Sequence, residues 1–337
     1  MTHRRAVLLM ITVTLLWSIA GVVARQLEAA RSFEVTFWRS FFNMLALAVA
    51  LTAMRGAGMW PQLLRAPWPF WVSSVCWAVM YTAFMVGLTL TSVANVLVVM
   101  AFGPLLTALS ARLFLHHRLP ARTWAAIVVG SLGIAWMFGH DVDAGAPLLG
   151  SIVALAVPIA AACNWTLLQY VGHGAGDPDD AASAATSNSA TDSATNAATS
   201  SATSAASNSA TSSAPDMLPA VMVGAVLSAA VTLPLAWPLQ ASPHDLGLLA
   251  LLGVVQLAIP CLLVVRASRV LPAPEIALLG LLEVVFGVLW AWLGAGEAPS
   301  SGALVGGSLV LLALLGNEAL ALRRVRAVKL PARHETQ

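Results

Sequence analysis

Apolar residues run along this chain in long stretches with few charges among them. Ten stand out, at roughly 6–25, 33–54, 68–89, 92–115, 122–139, 147–170, 217–238, 245–265, 272–293 and 302–322. A helix needs about 20 mostly apolar residues to cross the hydrocarbon of a bilayer. Each stretch reaches or approaches that length. None alternates polar with apolar residues, so barrel strands are not expected, and a helix pairs its own backbone groups in lipid. The pattern predicts an all-α integral membrane protein with ten transmembrane helices. The connections are short, and many carry proline: Pro61, Pro67, Pro120, Pro147, Pro243, Pro272 and Pro299.

One segment breaks the pattern. From Gly172 to Asp216 the chain is almost wholly Ala, Ser, Thr, Asn, Asp and Gly, apart from His173, Pro178 and Pro215, without Lys, Arg or a large apolar residue. Such a stretch buries too little apolar area to offset the entropy of ordering it. A disordered loop over 172–216 is expected between the sixth and seventh helices. The first stretch, after Thr2-His3-Arg4-Arg5, is longer than the 7–15 residue core of a secretory signal, so it reads as a retained membrane helix.

Composition agrees with the pattern. Of 337 residues, 59% are hydrophobic and 9% charged, against about 25% charged in soluble domains. Net charge is +2, which gives no footing for a nucleic-acid partner. Cys76, Cys163 and Cys261 each lie in an apolar run. Their odd number and lack of metal-type spacing argue against a disulfide framework.

The distribution of the 17 Lys and Arg residues sets parity and orientation. With a cytoplasmic N-terminus, Arg4, Arg5, Arg55, Arg65, Arg112, Arg118, Arg122, Arg266, Arg269, Arg323, Arg324, Arg326, Lys329 and Arg333 fall inside. Arg25 and Arg31 fall outside, and Arg39 lies within the second helix. This is the bias of a bacterial-type inner membrane protein with both termini cytoplasmic. Nine or eleven helices would put the C-terminal basic cluster on the wrong side.

A fixed offset of 180 residues relates Ala101–Leu109 to Leu281–Leu289, each followed by the same layout of helix end, loop and helix. Leu16-Trp17-Ser18 resembles Asn164-Trp165-Thr166 at an offset of 148, and the polar insert supplies the difference. Five helices per repeat is an odd number, so the second half enters from the opposite face. The expected architecture is two inverted five-helix repeats, 1–140 and 147–322, followed by a basic tail, 323–337. In such folds the site lies near mid-membrane between the halves.

On these residues the chain resembles the EamA-type branch of the drug/metabolite transporter superfamily. The resemblance is carried by Leu16-Trp17-Ser18, Phe37-Trp38-Arg39, the stretch from Thr91-Ser92 to Pro104, and Leu282-Glu283-Val284 to Gly296-Glu297. It implies a secondary transporter, an exporter of amino acids or similar small metabolites. The family has a Glu at the end of the fourth helix, where this chain has His117, and a Pro in the ninth, where it has Val284. A proline kink frees backbone carbonyls and provides a hinge. Only Pro104 can do so here, which places the expected hinge in the first half alone.

Charges within a bilayer are costly and mark function. Glu283, near the middle of the ninth helix, could bind a substrate amine, carry a proton, or pair with another helix. Arg39 could hold a substrate carboxylate in a forked contact, or extend to the outer interface. Glu275, near the cytoplasmic start of the ninth helix, suits the helix dipole. Trp17, Trp38, Tyr81 and Trp165 lie deep enough to line a cavity, as do the uncharged polar residues Asn95, Asn164 and Gln256. The glycines of Gly302-x-x-x-Gly306 and the pair Gly130 and Gly133 permit close helix packing.

The chain holds no Gly-rich phosphate loop, no metal-spaced Cys/His cluster and no Gly-x-Ser-x-Gly turn. No cofactor and no enzymatic activity are therefore expected. The expected partners are a small-molecule substrate, the lipid bilayer, a coupling proton or ion, and a second copy in a homodimer. The competing class is a non-transporting membrane sensor or assembly protein. The topology has a direct test. A periplasm-dependent phosphatase fused after Ala144 should be active and one fused at the C-terminus inactive, with the reverse for a cytoplasm-dependent fluorescent reporter.

Overall fold

The computed structural model describes residues 1–24, 26–30, 32–91, 93–116, 119–139, 148–173, 216–295 and 301–329. The 174–215 part of the polar insert, His117 and Glu297 lie outside the described residues, as does the end of the tail. The described residues are helical throughout, with no strand among them. The helices are α1 (His3–Trp17), α2 (Ala20–Ala24), α3 (Ser32–Arg55), α4 (Met59–Leu63), α5 (Trp68–Leu90), α6 (Val93–Met100), α7 (Gly103–Phe114) and α8 (Ala121–Gly139). Then follow α9 (Leu148–His173), α10 (Leu218–Ala236), α11 (Pro243–Leu251), a π-helical segment (Leu252–Ala258), α12 (Ile259–Ala267), α13 (Ala273–Gly280), α14 (Leu282–Ala295) and α15 (Ser301–Lys329).

Eight spans are long and apolar enough to cross a membrane: His3–Ala24, Phe33–Arg55, Trp68–Gly87, Val96–Phe114, Leu149–Gly172, Leu218–Ala236, Pro243–Ala267 and Ala273–Trp290. Two shorter apolar helices, Ala121–Met137 and Ser301–Asn317, complete the set. Large apolar side chains such as Leu113, Phe114, Leu132, Leu293 and Leu312 point outward. That surface is stable only against lipid.

The spans pack as a bundle. α8 lies along α15, and α5 lies between α9 and α10. α10 crosses α3, α1 packs on α12, and α13 packs on α7. Close approach depends on small residues, because van der Waals contact and hydrogen bonds, rather than water exclusion, drive helix association in lipid. A Cβ on Gly306 would strike the Gly133 carbonyl and sit 2.8 Å from the Met137 Cβ. The two glycine pairs of the sequence thus meet as one contact, Gly133 against Gly306. Polar side chains add to the packing. Ser228 on α10 bonds Ser40 of α3 at 3.0 Å and Thr82 of α5 at 2.9 Å.

Two apolar runs are broken. The run 92–115 splits at Ala101-Phe102, where Pro104 deprives the Met100 carbonyl of its helical donor. Ser131 of α8 donates to the Ala101 carbonyl at 2.7 Å and pins the break. The run 272–293 also splits, at Leu281, which corrects the expectation that only the first half bends. Leu281 N–H bonds to the Leu278 carbonyl and Val284 N–H to the Leu281 carbonyl, both at 3.2 Å. These are three-residue turns, tighter than α-helix. Gly280, the last residue of α13, favours the interruption because glycine costs about 1 kcal/mol in a helix interior. Ala101 and Leu281 differ by the 180 residues of the repeat offset.

Substituting Gly306 by Leu should lower stability by about 1–3 kcal/mol through overpacking. Gly316→Ala, inside α15 and with no atom within 4 Å of the added Cβ, should instead raise it by about 0.5–1 kcal/mol. Thermal unfolding in detergent separates the two.

Candidate functional site

The polar cluster is built on α3. Arg39 and Asn43 are four residues apart and so project from one face, one turn from each other. Both are buried, with Arg39 4% exposed and Asn43 fully enclosed. The π-helical segment presses on this turn through Gly253. A Cβ there would lie 2.7 Å from the Arg39 carbonyl and 2.9 Å from the Asn43 nitrogen. Only glycine allows that approach. π-Helical turns are rare and recur at functional sites.

Tyr81 reaches the same point from α5. Arg39 donates to the Tyr81 carbonyl at 3.5 Å, the outer limit for a hydrogen bond, and Arg39 Nε has no partner. The Tyr81 hydroxyl pairs with Cys261 Sγ of α12 at 3.3 Å. The Trp17 indole, at the end of α1, reaches the same sulfur. Gln256, in the π-helical segment, donates to the Trp17 carbonyl at 3.3 Å, and its Oε1 is buried without a partner. Glu283, in the first turn of α14, stands within electrostatic reach of Arg39 and Cys261. It makes no direct ion pair with Arg39 among the described residues. On the same helix Trp290 donates to Ser18 Oγ at 3.0 Å.

Of the residues chosen from sequence, Trp17, Arg39, Tyr81, Gln256 and Glu283 are brought together. The others sit elsewhere or at the margin. Asn164 accepts from Ser73 at 2.6 Å and binds α9 to α5. Trp165 stacks edge-on against Trp77, whose ring lies 5.7 Å from that of Tyr81, so it is one ring removed from the cluster. Trp38 immediately precedes Arg39 and so projects from a different side of α3, bonded to Glu34 and packed against Phe42. Pro104 begins α7 at the first break. Asn95 is on α6, and its side chain lies outside the described residues. Glu275 pairs with His3 at 2.8 Å.

Asn43, Cys261 and Ser18 were not singled out from sequence. Asn43 carried a usable signal, its four-residue spacing from Arg39. Cys261 did not, since a cysteine in an apolar run looks like any small core residue.

Two further carboxylates were missed, and both hold backbone. Glu34 accepts from Gln240 and Ala241 N–H at 2.8 and 2.7 Å. Asp245 accepts from Glu28, Ala29 and Ala30 N–H at 2.9, 2.9 and 3.0 Å. They fasten the 26–30 and 238–242 connections across the bundle. Among the described residues no group of three His, Cys, Asp or Glu could hold a metal.

The model of the EamA-like transporter family matches residues 4–139 and 194–317. The chain belongs to that family. An EamA-like protein of this kind is a multi-pass membrane protein of the drug/metabolite transporter type. One solved crystal structure has a similar fold, with a TM-score of 0.70 over 96% of this chain and 99% of that chain, at 17% identity. No curated protein matches the sequence.

A buried guanidinium with one 3.5 Å bond recovers little of its desolvation cost, so Arg39 is not held for stability. Arg39→Met should therefore leave the melting temperature unchanged or raise stability by about 1–4 kcal/mol. Thermal unfolding of the purified variant checks this.

Proposed function

We propose that this EamA-like protein is a secondary transporter that exports small organic metabolites, such as amino acids, across a bacterial-type inner membrane. The observation that carries this is the cluster of Arg39, Asn43, Tyr81, Gln256 and Glu283, gathered from four spans, in which Arg39 Nε, the Asn43 amide and Gln256 Oε1 lack a hydrogen bond of good geometry. Buried polar groups without partners are costly. A bundle that keeps several of them facing one another has a place for a polar solute.

The architecture in this reading has ten transmembrane helices in two inverted repeats, 1–140 and 147–322, joined by the 172–216 loop, with a cytoplasmic 323–337 tail. The packing supports it. If each helix of the first half is matched to its counterpart in the second, α5 on α9 corresponds to α12 on α1. Likewise α10 on α5 corresponds to the π-helical segment on α3, and α7 on α9 to α14 on α1. The breaks at Ala101 and Leu281 are counterparts too. Helices that break at membrane depth, beside the site, are a feature of carriers built from inverted repeats.

Within this reading Arg39 takes an anionic group of the cargo. Glu283 takes a cationic group or the coupling proton. Trp17 and Tyr81 cover apolar parts. No nucleotide-driven step is required, and no reaction is catalysed.

An untargeted comparison of metabolites inside and outside cells, with and without the protein, identifies the cargo. Glu283→Gln should then reduce gradient-driven flux of that cargo in proteoliposomes by tenfold or more, while exchange without a gradient falls less. Fully intact proton-coupled flux in this variant removes Glu283 from the mechanism.

A further inference from the structure

Asn43 is enclosed within the bundle, and neither its amide oxygen nor its amide nitrogen makes a hydrogen bond of good geometry. Its amide has only a weak contact with the Tyr81 hydroxyl, which is also paired with Cys261. One turn away, Arg39 Nε is also buried and unpartnered. Both residues are on α3, on one face, and both reach toward Tyr81. The close seat of Gly253 on this turn fixes the backbone that carries them. A fold that keeps two buried, unpaired donors one turn apart offers a two-point contact for a single acceptor.

We propose that Asn43 and Arg39 together form a clamp for a carboxylate of the cargo. This rests on the transport reading above and adds to it a residue and a chemical group. Carboxylate is the acceptor whose two oxygens can take a guanidinium N–H and an amide N–H at once, and a charged donor strengthens such a contact. A phosphate dianion fits less well, because it would bring its second charge to a cluster where the Glu283 carboxyl already stands within electrostatic reach of Arg39. The Asn43 oxygen and Gln256 Oε1 remain as acceptors for N–H groups on the same cargo.

The Cys261 thiol sits within this cluster and is fully enclosed, so a maleimide reaches it only when the bundle opens, and a bound cargo that fills the cluster slows the reaction. In full-length protein carrying Cys76→Ala and Cys163→Ala, Cys261 is the only thiol. Its alkylation by a maleimide in proteoliposomes is followed while the common neutral amino acids and their primary amides are added. At least one amino acid should slow alkylation, with its amide about tenfold weaker. Asn43→Ala should raise the half-protecting concentration of the acid about tenfold and leave that of the amide unchanged. Asn43→Leu should do the same with an equal or higher melting temperature, because removing an unpaired buried amide does not destabilise.

Equal protection by acid and amide in the unsubstituted protein overturns the clamp. So does unchanged protection in both Asn43 variants. A lower melting temperature for Asn43→Leu, or failure of both variants to fold, assigns Asn43 to structure and overturns it as well. If no amino acid protects Cys261 but the flux assay shows transport, the clamp falls and the transport reading stands. If flux is absent too, both fall.

Discussion

A peptide N–H or carbonyl in hydrocarbon has no water to pair with, and leaving it bare costs several kcal/mol. Several irregular stretches among the described residues lie where another element supplies the missing partner. Ser131 of α8 bonds the Ala101 carbonyl at the first break. Gln169 of α9 accepts from the Ala273 N–H, 2.8 Å away, at the start of α13. Glu34 and Asp245 serve the connections at the end of the bundle where α3 begins. Much of the polarity scattered through the apolar runs is therefore committed to backbone. Such residues fix where the chain bends and which helices lie together.

Setting those residues aside leaves a short remainder. Arg39, Asn43 and Glu283 serve no turn and cap no helix end, and Gln256, whose amide N–H bonds the last carbonyl of α1, keeps Oε1 without a partner. They come from three different spans, and glycine brings their backbones close. Gly253 lets the π-helical segment rest on α3, and Gly224 lets α10 rest on α5 at Trp77. A larger residue at either position would push the helices apart and scatter the cluster. Small residues and polar groups thus work together here. The first set the distance between backbones, and the second occupy the space that results.

The apolar spans were legible in the sequence because length and apolarity are local properties. That Arg39 and Glu283 fall inside such spans was legible too. Counting residues from the ends of the ninth and second runs placed Glu283 and Arg39 well inside. The direction a side chain faces was not legible. These helices are apolar on nearly every side, so periodicity does not say which face meets which neighbour. Asn164 and Gln256 looked alike from sequence, and only packing sends one to Ser73 and the other to the cluster. The break at Leu281 escaped for another reason. It arises from Gly280 and a tight turn, without the proline that marks such a kink in sequence. Glu34 and Asp245 read as ordinary charges near helix ends because the N–H groups they accept from are more than 200 residues away.

The two faces of the bundle are held by contacts of different kinds. On the face where α3 begins, the acceptors are buried carboxylates, Glu34 being 1% exposed and Asp245 fully enclosed. Each takes at least two backbone N–H groups that have no other acceptor at hand. On the opposite face, Asp216 pairs with Arg55 and with Arg269, the latter 62% exposed and 3.7 Å away. Exposed pairs of that sort contribute about 0–1 kcal/mol and weaken further in salt. Removing an acceptor from buried N–H groups costs more than breaking them, since each donor is left unsatisfied. The connections over the start of α3 are therefore the stiffer ones.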